Sequence, residues 1–201
     1  IVATVAEVAG RFGGIDVLAN IAGAHRTTPM TTITADELRA AFEVNLVGTV
    51  LMCREVIPHL GKRAAIVNVA SSAATHAHPF MAAYAASKGA VLSFSITLAA
   101  ELAPRKVRVV AVSPGGIDTP LTQAVANSDI DFSFFSRVLP LLPFGKPEEA
   151  AAVIAFAGSV SGTRCTTCAR STSSSKPPGA RGSARSLPTT TRDDSCVRFF
   201  R

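Results

Sequence analysis

Tyr84 and Lys88 stand four residues apart in a 201-residue chain that has no other tyrosine and no tryptophan. On a helix that spacing puts both side chains on one face. A nearby ammonium favours the phenolate and lowers a phenol from its reference value near ~10. That is how a phenol becomes a usable acid/base near neutrality. Ser71 precedes Tyr84 by thirteen residues, and a hydroxyl there can donate to a substrate oxygen while the phenol moves the proton. The plainer alternatives are a tyrosine packed at a helix start beside a solvated lysine, and a serine that caps a strand exit. Ser72, one position on, offers the same hydroxyl as Ser71.

The surrounding pattern says what must hold these groups. Three short apolar runs, Ile15–Asn20, 65–70 and 107–113, are predicted as strands buried on both faces. Thr34, with Glu37 three residues on, marks an N-cap and capping box. The helix it opens runs through Leu38, Phe42, Leu46, Val50 and Cys53 toward Pro58. A second helix covers about 81–102, rich in Ala, with a Phe94–Leu98–Leu102 stripe. Pro147, followed by Glu148 and Glu149, opens a third. Ile1, Val5, Val8 and Phe12 also recur at helical spacing. Alternating strands and helices predict an α/β fold, a Rossmann-like doubly wound parallel sheet. Ligands bind such sheets at the carboxyl ends of the strands. Those ends hold 20–23, 71–72 and 113–119, all small, polar or Gly-containing.

Five segments then carry a family resemblance. "IVNVASSAA…AAYAASKGAV" resembles the catalytic segment of the short-chain dehydrogenase/reductase family, and "IDVLANIAG" (15–23) its L-x-N-x-A-G strand exit. "FEVNLVGTV" (42–50) is similar to the helix with its catalytic Asn, and "VRVVAVSPGGIDTPL" (107–121) to its P-G-x-I-x-T turn. "GKPEEAAAVIAFAGS" continues the pattern in the family's order. The resemblance covers about residues 1–158. It implies NAD or NADP as cofactor and a secondary alcohol or ketone as substrate, with a 3-oxoacyl thioester among the candidates. Tyr84 would be the acid/base, Lys88 would lower its pKa and hold the nicotinamide ribose, and Ser71 would polarise the carbonyl. Asn45 would hold a water linking Lys88 to solvent. Asn20, Ala22, Gly23, Pro114, Gly115, Ile117 and Thr119 would line the cofactor crevice, Asn20 in part as a tie between strands. Family members commonly assemble as dimers or tetramers through two long helices, here about 35–57 and 81–102. The apolar residues of 120–146, Phe132, Phe134, Phe135, Leu139, Leu141 and Leu142 among them, suggest a lid over a hydrophobic substrate.

Two features depart from that pattern. No T-G-x-x-x-G-x-G turn precedes Ile15, so the expected domain is incomplete, without its first strands, and the residue that chooses NAD over NADP lies outside it. At about Ser159 the pattern gives way abruptly to a basic Ser/Thr-rich tail, expected to be disordered, where the family continues into a last strand with a D-G-G signature. A reading-frame shift would explain the switch. The strand at Ile15–Asn20 then becomes an exposed apolar edge, and the chain is expected to bind nicotinamide cofactor poorly or not at all.

Charge supports the division. The chain's formal charge is +6, and Arg164, Arg170, Lys176, Arg181, Arg185, Arg192, Arg198 and Arg201 against Asp193 and Asp194 account for all of it. The body is neutral, so a nucleic-acid role would rest on the tail alone and be weak and salt-dependent. His76 and His78 have no evident third metal ligand, and Cys165 with Cys168 lacks a second pair, so no metal site is expected. Nothing implies an oxidising compartment or a membrane span, and the cytoplasm is the default.

Overall fold

The computed structural model describes residues 1–126 and 143–159. The element order is α1 (Val2–Phe12), β1 (Ile15–Asn20), α2 (Ala35–Phe42), a π-helical turn (Glu43–Val47), α3 (Gly48–Val56), β2 (Leu60–Val69), α4 (Ala82–Leu102), β3 (Arg108–Val112), α5 (Pro120–Ala126) and α6 (Pro147–Gly158). The three strands are all parallel, in the order β1-β2-β3. Phe132, Phe134, Phe135, Leu139, Leu141 and Leu142 of the expected lid and the residues beyond Ser159, with Cys165 and Cys168, lie outside the described residues.

Side chains alternate across the sheet. Leu18 and Ile66 face α3 and α4, where they join Cys53, Val56, Leu98 and Leu102 in the main core. Val17 and Val67 face the other way, toward the end of α6. Burial of the Cys53 thiol pushes it up to about 11.

Three expectations need correction. Only β2 is buried on both faces, from Ala64 to Asn68. Val17 is 47% exposed and β3 is half-buried throughout, because β2 is the strand with a neighbour on each side among the described residues. β2 also begins at Leu60, five residues early, since a bulge lets Leu60 to Ala65 oppose Ile15 to Val17 and turns on Arg63 at φ 68. In α1 the packed face is Val5 and Ala9, while Ile1, Val8 and Phe12 are exposed.

The capping box at Thr34 forms as expected: its hydroxyl accepts from the Glu37 N–H and Glu37 accepts from the Thr34 N–H, both at 3.2 Å. The helix it starts is not uniform. One π turn interrupts it, with the Gly48 N–H reaching the Glu43 carbonyl. That extra residue re-aims the next turns of the helix, and such turns gather at functional sites.

Candidate active site

α4 starts where the loop after β2 ends, and its first turns carry Tyr84, Ser87 and Lys88. Lys88 is 3% exposed. Its ammonium donates to the Val69 carbonyl at 2.7 Å and lies 6.0 Å from the Tyr84 ring centroid. Burial lowers it from 10.5 to about 8.

Ser71 ends the β2 exit, where its hydroxyl accepts from the Ala73 N–H at 3.2 Å. It lines the same groove as Tyr84, and its side chain acts to lower the phenol's pKa. Ser72 opens a short 3-10 turn and donates its N–H to the Pro114 carbonyl at 2.9 Å, and it is not among the residues that line the groove beside Tyr84. Tyr84 departs from expectation in one respect. Burial raises its phenol above the ordinary value, and the Ser71 side chain pulls it back. The Lys88 charge, drawn to Val69, is not what tunes it.

Asn45 sits in the π turn and is fully buried. Its Oδ1 accepts the Ala24 N–H at 2.8 Å, and its Nδ2 donates to the Ala24 carbonyl and to Ser87 Oγ, each at 2.9 Å. Ser87 in turn donates to the Tyr84 carbonyl at 2.7 Å. Asn45 therefore locks the loop after β1 to the first turn of α4. Gly23 fills the space between: a Cβ there would lie 3.2 Å from Asn45 Oδ1 and 3.3 Å from Lys88 Nζ. Its close approach is to these two side chains.

Asn20 serves the scaffold. Its amide donates to Asn68 Oδ1 at 2.8 Å, and Asn68 donates to Ser95 Oγ at 2.9 Å. That relay joins β1, β2 and α4 across the core. Two expected neighbours, Ala22 and Gly23, share its strand exit but do not line the large groove beside it.

The groove itself, about 660 Å³, runs between the sheet and α6. Ser71, Tyr84, Pro114, Gly115, Ile117 and Thr119 line it at the carboxyl ends of the strands. Ile21 and Ile154 line it too, and neither stood out in the sequence, since each looks like an ordinary core residue. Thr119 shares its hydroxyl with Thr122 Oγ1 at 3.2 Å. A flat polar ring at the Gly115 end would meet small residues and a hydroxyl, so these residues fit a nicotinamide. His76 is exposed on the loop before α4, and among the described residues no three His, Cys, Asp or Glu side chains gather as a metal site. No helix among them is long and apolar enough to cross a membrane.

A family model described as enoyl-(acyl carrier protein) reductase matches residues 1–168. The chain belongs to the short-chain dehydrogenase/reductase family. A 3-oxoacyl-[acyl-carrier-protein] reductase from Thermotoga maritima is 40% identical over 157 residues, covering 77% of this chain and 63% of that protein. The Brucella melitensis short-chain dehydrogenase/reductase, described as glucose/ribitol dehydrogenase, superposes with a TM-score of 0.71 at 38% identity, covering 81% of this chain and 65% of that one. A Burkholderia cenocepacia short-chain dehydrogenase solved with NADP gives 0.70 at 31%, covering 80% and 64%. This short-chain dehydrogenase/reductase chain thus spans less than two thirds of the length of these relatives.

Proposed function

We propose that this chain carries the proton-transfer machinery of an NAD- or NADP-dependent oxidoreductase acting on a secondary alcohol or its ketone. The observation that carries this is that Ser71 and Tyr84 stand together on the wall of one groove at the carboxyl ends of the strands. When bound, the nicotinamide supplies or takes the hydride. The protein's own part is proton handling. Tyr84 gives its phenolic proton to the developing alkoxide in reduction, or takes one from the alcohol in oxidation. The bond from Ala73 uses only the Ser71 oxygen, so with substrate bound the hydroxyl would turn its proton from the Tyr84 phenol to the substrate oxygen and orient it. Lys88 places a buried cation beside the ring and would hold the ribose. Pro114, Gly115, Ile117 and Thr119 would face the nicotinamide, with the Thr119 hydroxyl bonding its carboxamide.

The likeness to a 3-oxoacyl-[acyl-carrier-protein] reductase and the apolar lining of the groove support a hydrophobic ketone such as a 3-oxoacyl thioester as substrate. Leu38, Val44 and Ile96 are exposed on α2, the π turn and α4, which supports a homo-oligomer built on those helices. The deciding experiment is Tyr84→Phe in the full chain, with NADH and NADPH oxidation followed against a panel of ketones. Turnover should fall at least about 100-fold, the usual worth of an acid/base group. Unchanged turnover would overturn the assignment.

A further inference from the structure

The loop after β1 is fastened twice before it reaches α2. Asn45 holds both main-chain groups of Ala24, and the Thr28 N–H donates to the Phe80 carbonyl at 2.8 Å. Between these points the loop presents His25 to Tyr84. The two rings meet edge to face, with centroids 4.7 Å apart and planes at 87°. His25 Nε2 is covered and has no hydrogen-bond partner among the described residues. A covered polar atom without a partner is unusual in a folded protein. The perpendicular ring contact with Tyr84 is the aromatic packing around that imidazole.

We infer that His25 is a positioning residue for Tyr84: its ring, packed at right angles to the tyrosine, holds the phenol on the Ser71 side of the groove, and its protonation state is felt at the phenol. The inference rests on the reading of Tyr84 as the acid/base. It also gives the two-point hold of Asn45 on Ala24 a purpose, since that hold sets where His25 stands. The titratable groups that meet the imidazole are His78 from the loop before α4 and Tyr84 from α4; Lys88 Nζ lies 6.0 Å from the Tyr84 centroid, and Arg26, next in sequence, pairs with Glu37 of α2 at 2.9 Å. Burial first, and then the facing His78, hold His25 below its ordinary value of 6.5. It is therefore neutral at pH 7, and protonation below that range would put a cation against the ring.

The sequence itself supplies the probe, because Tyr84 is the chain's one tyrosine and there is no tryptophan. Phenol absorbance and tyrosine emission in the full chain report this residue alone. In the wild type, emission should step as pH falls through the His25 range. His25→Phe keeps a ring edge but cannot take a proton, and should abolish the step. His78→Asn should move the step to higher pH, since it removes the facing charge. His25→Ala opens one side of the ring, so the phenol should titrate lower than in the wild type, and kcat should fall about tenfold as the ring loses its alignment.

A step that persists in His25→Phe would overturn the inference, as would an unmoved phenol titration in folded His25→Ala. If circular dichroism shows that His25→Ala does not fold, the His25→Phe emission profile decides. Failure of the broader functional reading looks different: Tyr84→Phe stays active while the His25 effects on the phenol remain.

Discussion

The Lys88 ammonium is fastened to the last carbonyl of β2, that of Val69, at 2.7 Å, while 6.0 Å separates it from the centroid of the Tyr84 ring. The cation expected to tune the phenol is thus spent first on the strand end. Its own titration is the more perturbed one, at about 8.

This arrangement has two pH effects. A Lys whose folded value lies below its unfolded one gives stability that is lost as pH falls through the folded value. Resistance to urea should therefore rise between about pH 8 and 10, by about 2 kcal/mol at 1.36 kcal/mol per unit, and not in Lys88→Met. Above pH 10 the gain should reverse, because Tyr84 is raised in the fold and the unfolded chain gives up that proton first. The kcat/KM profile of an active preparation should show a limb near pH 8.

Gly23→Ala tests the crowding between α4 and the π turn. Its Cβ would press on Asn45 Oδ1 and Lys88 Nζ at 3.2 and 3.3 Å. Lys88 can swing, but Asn45 is held at three points. We expect a loss of about 1–3 kcal/mol, as for overpacked cores, read as a lower urea midpoint. The Tyr84 phenol titration should shift with it.

Asn68 is the middle of the relay from Asn20 to Ser95. Asn68→Ala takes the oxygen acceptor from the Asn20 amide, leaving it Cys53 Sγ at 3.4 Å, and the donor from Ser95, which keeps only its bond to the Val91 carbonyl, in a site with no exposed surface. The cost should be about 3 kcal/mol, and larger than for Asn20→Ala at the end of the relay. Chemical unfolding of both variants checks the order.

Much of this was legible in residue types and spacing. Tyr84 and Lys88 share a helix face because four residues make one turn, and the capping box at Thr34 formed as its residues imply. What could not be read were features carried by the backbone. The π turn that aims Asn45 has no residue signature, since any helix-forming stretch can hold one extra residue when packing demands it. The bulge at Arg63 is similar: Gly61, Lys62 and Arg63 look like a polar loop and are instead the start of β2. Spacing alone also predicted the wrong sign for Tyr84. Helical proximity says that two groups can meet, not which carbonyl competes for the charge.

Arg108 is a further residue the sequence did not single out. At the start of β3 its guanidinium donates to the carbonyls of Ala157, Gly158 and Ser159 at 2.7, 3.1 and 2.8 Å. These are groups at the end of α6 that lack helical partners. Arg108→Met should cost about 2 kcal/mol and fray α6, seen as faster amide exchange over its last turn. Arg108→Lys should recover only part of it, because one ammonium cannot span the same fork.

The other end of α6 is tied as well. Gly145 donates to the Gly116 carbonyl and accepts from the Asp118 N–H, both at 2.9 Å, while Glu149 closes on the Lys146 N–H at 2.7 Å. A helix moored at bow and stern cannot drift to suit its cargo. The gap between α6 and the sheet is a slot of fixed gauge, and what it admits is decided by the side chains along it. Leu in place of Ala151 or Ala155 should therefore plug the slot rather than spread it.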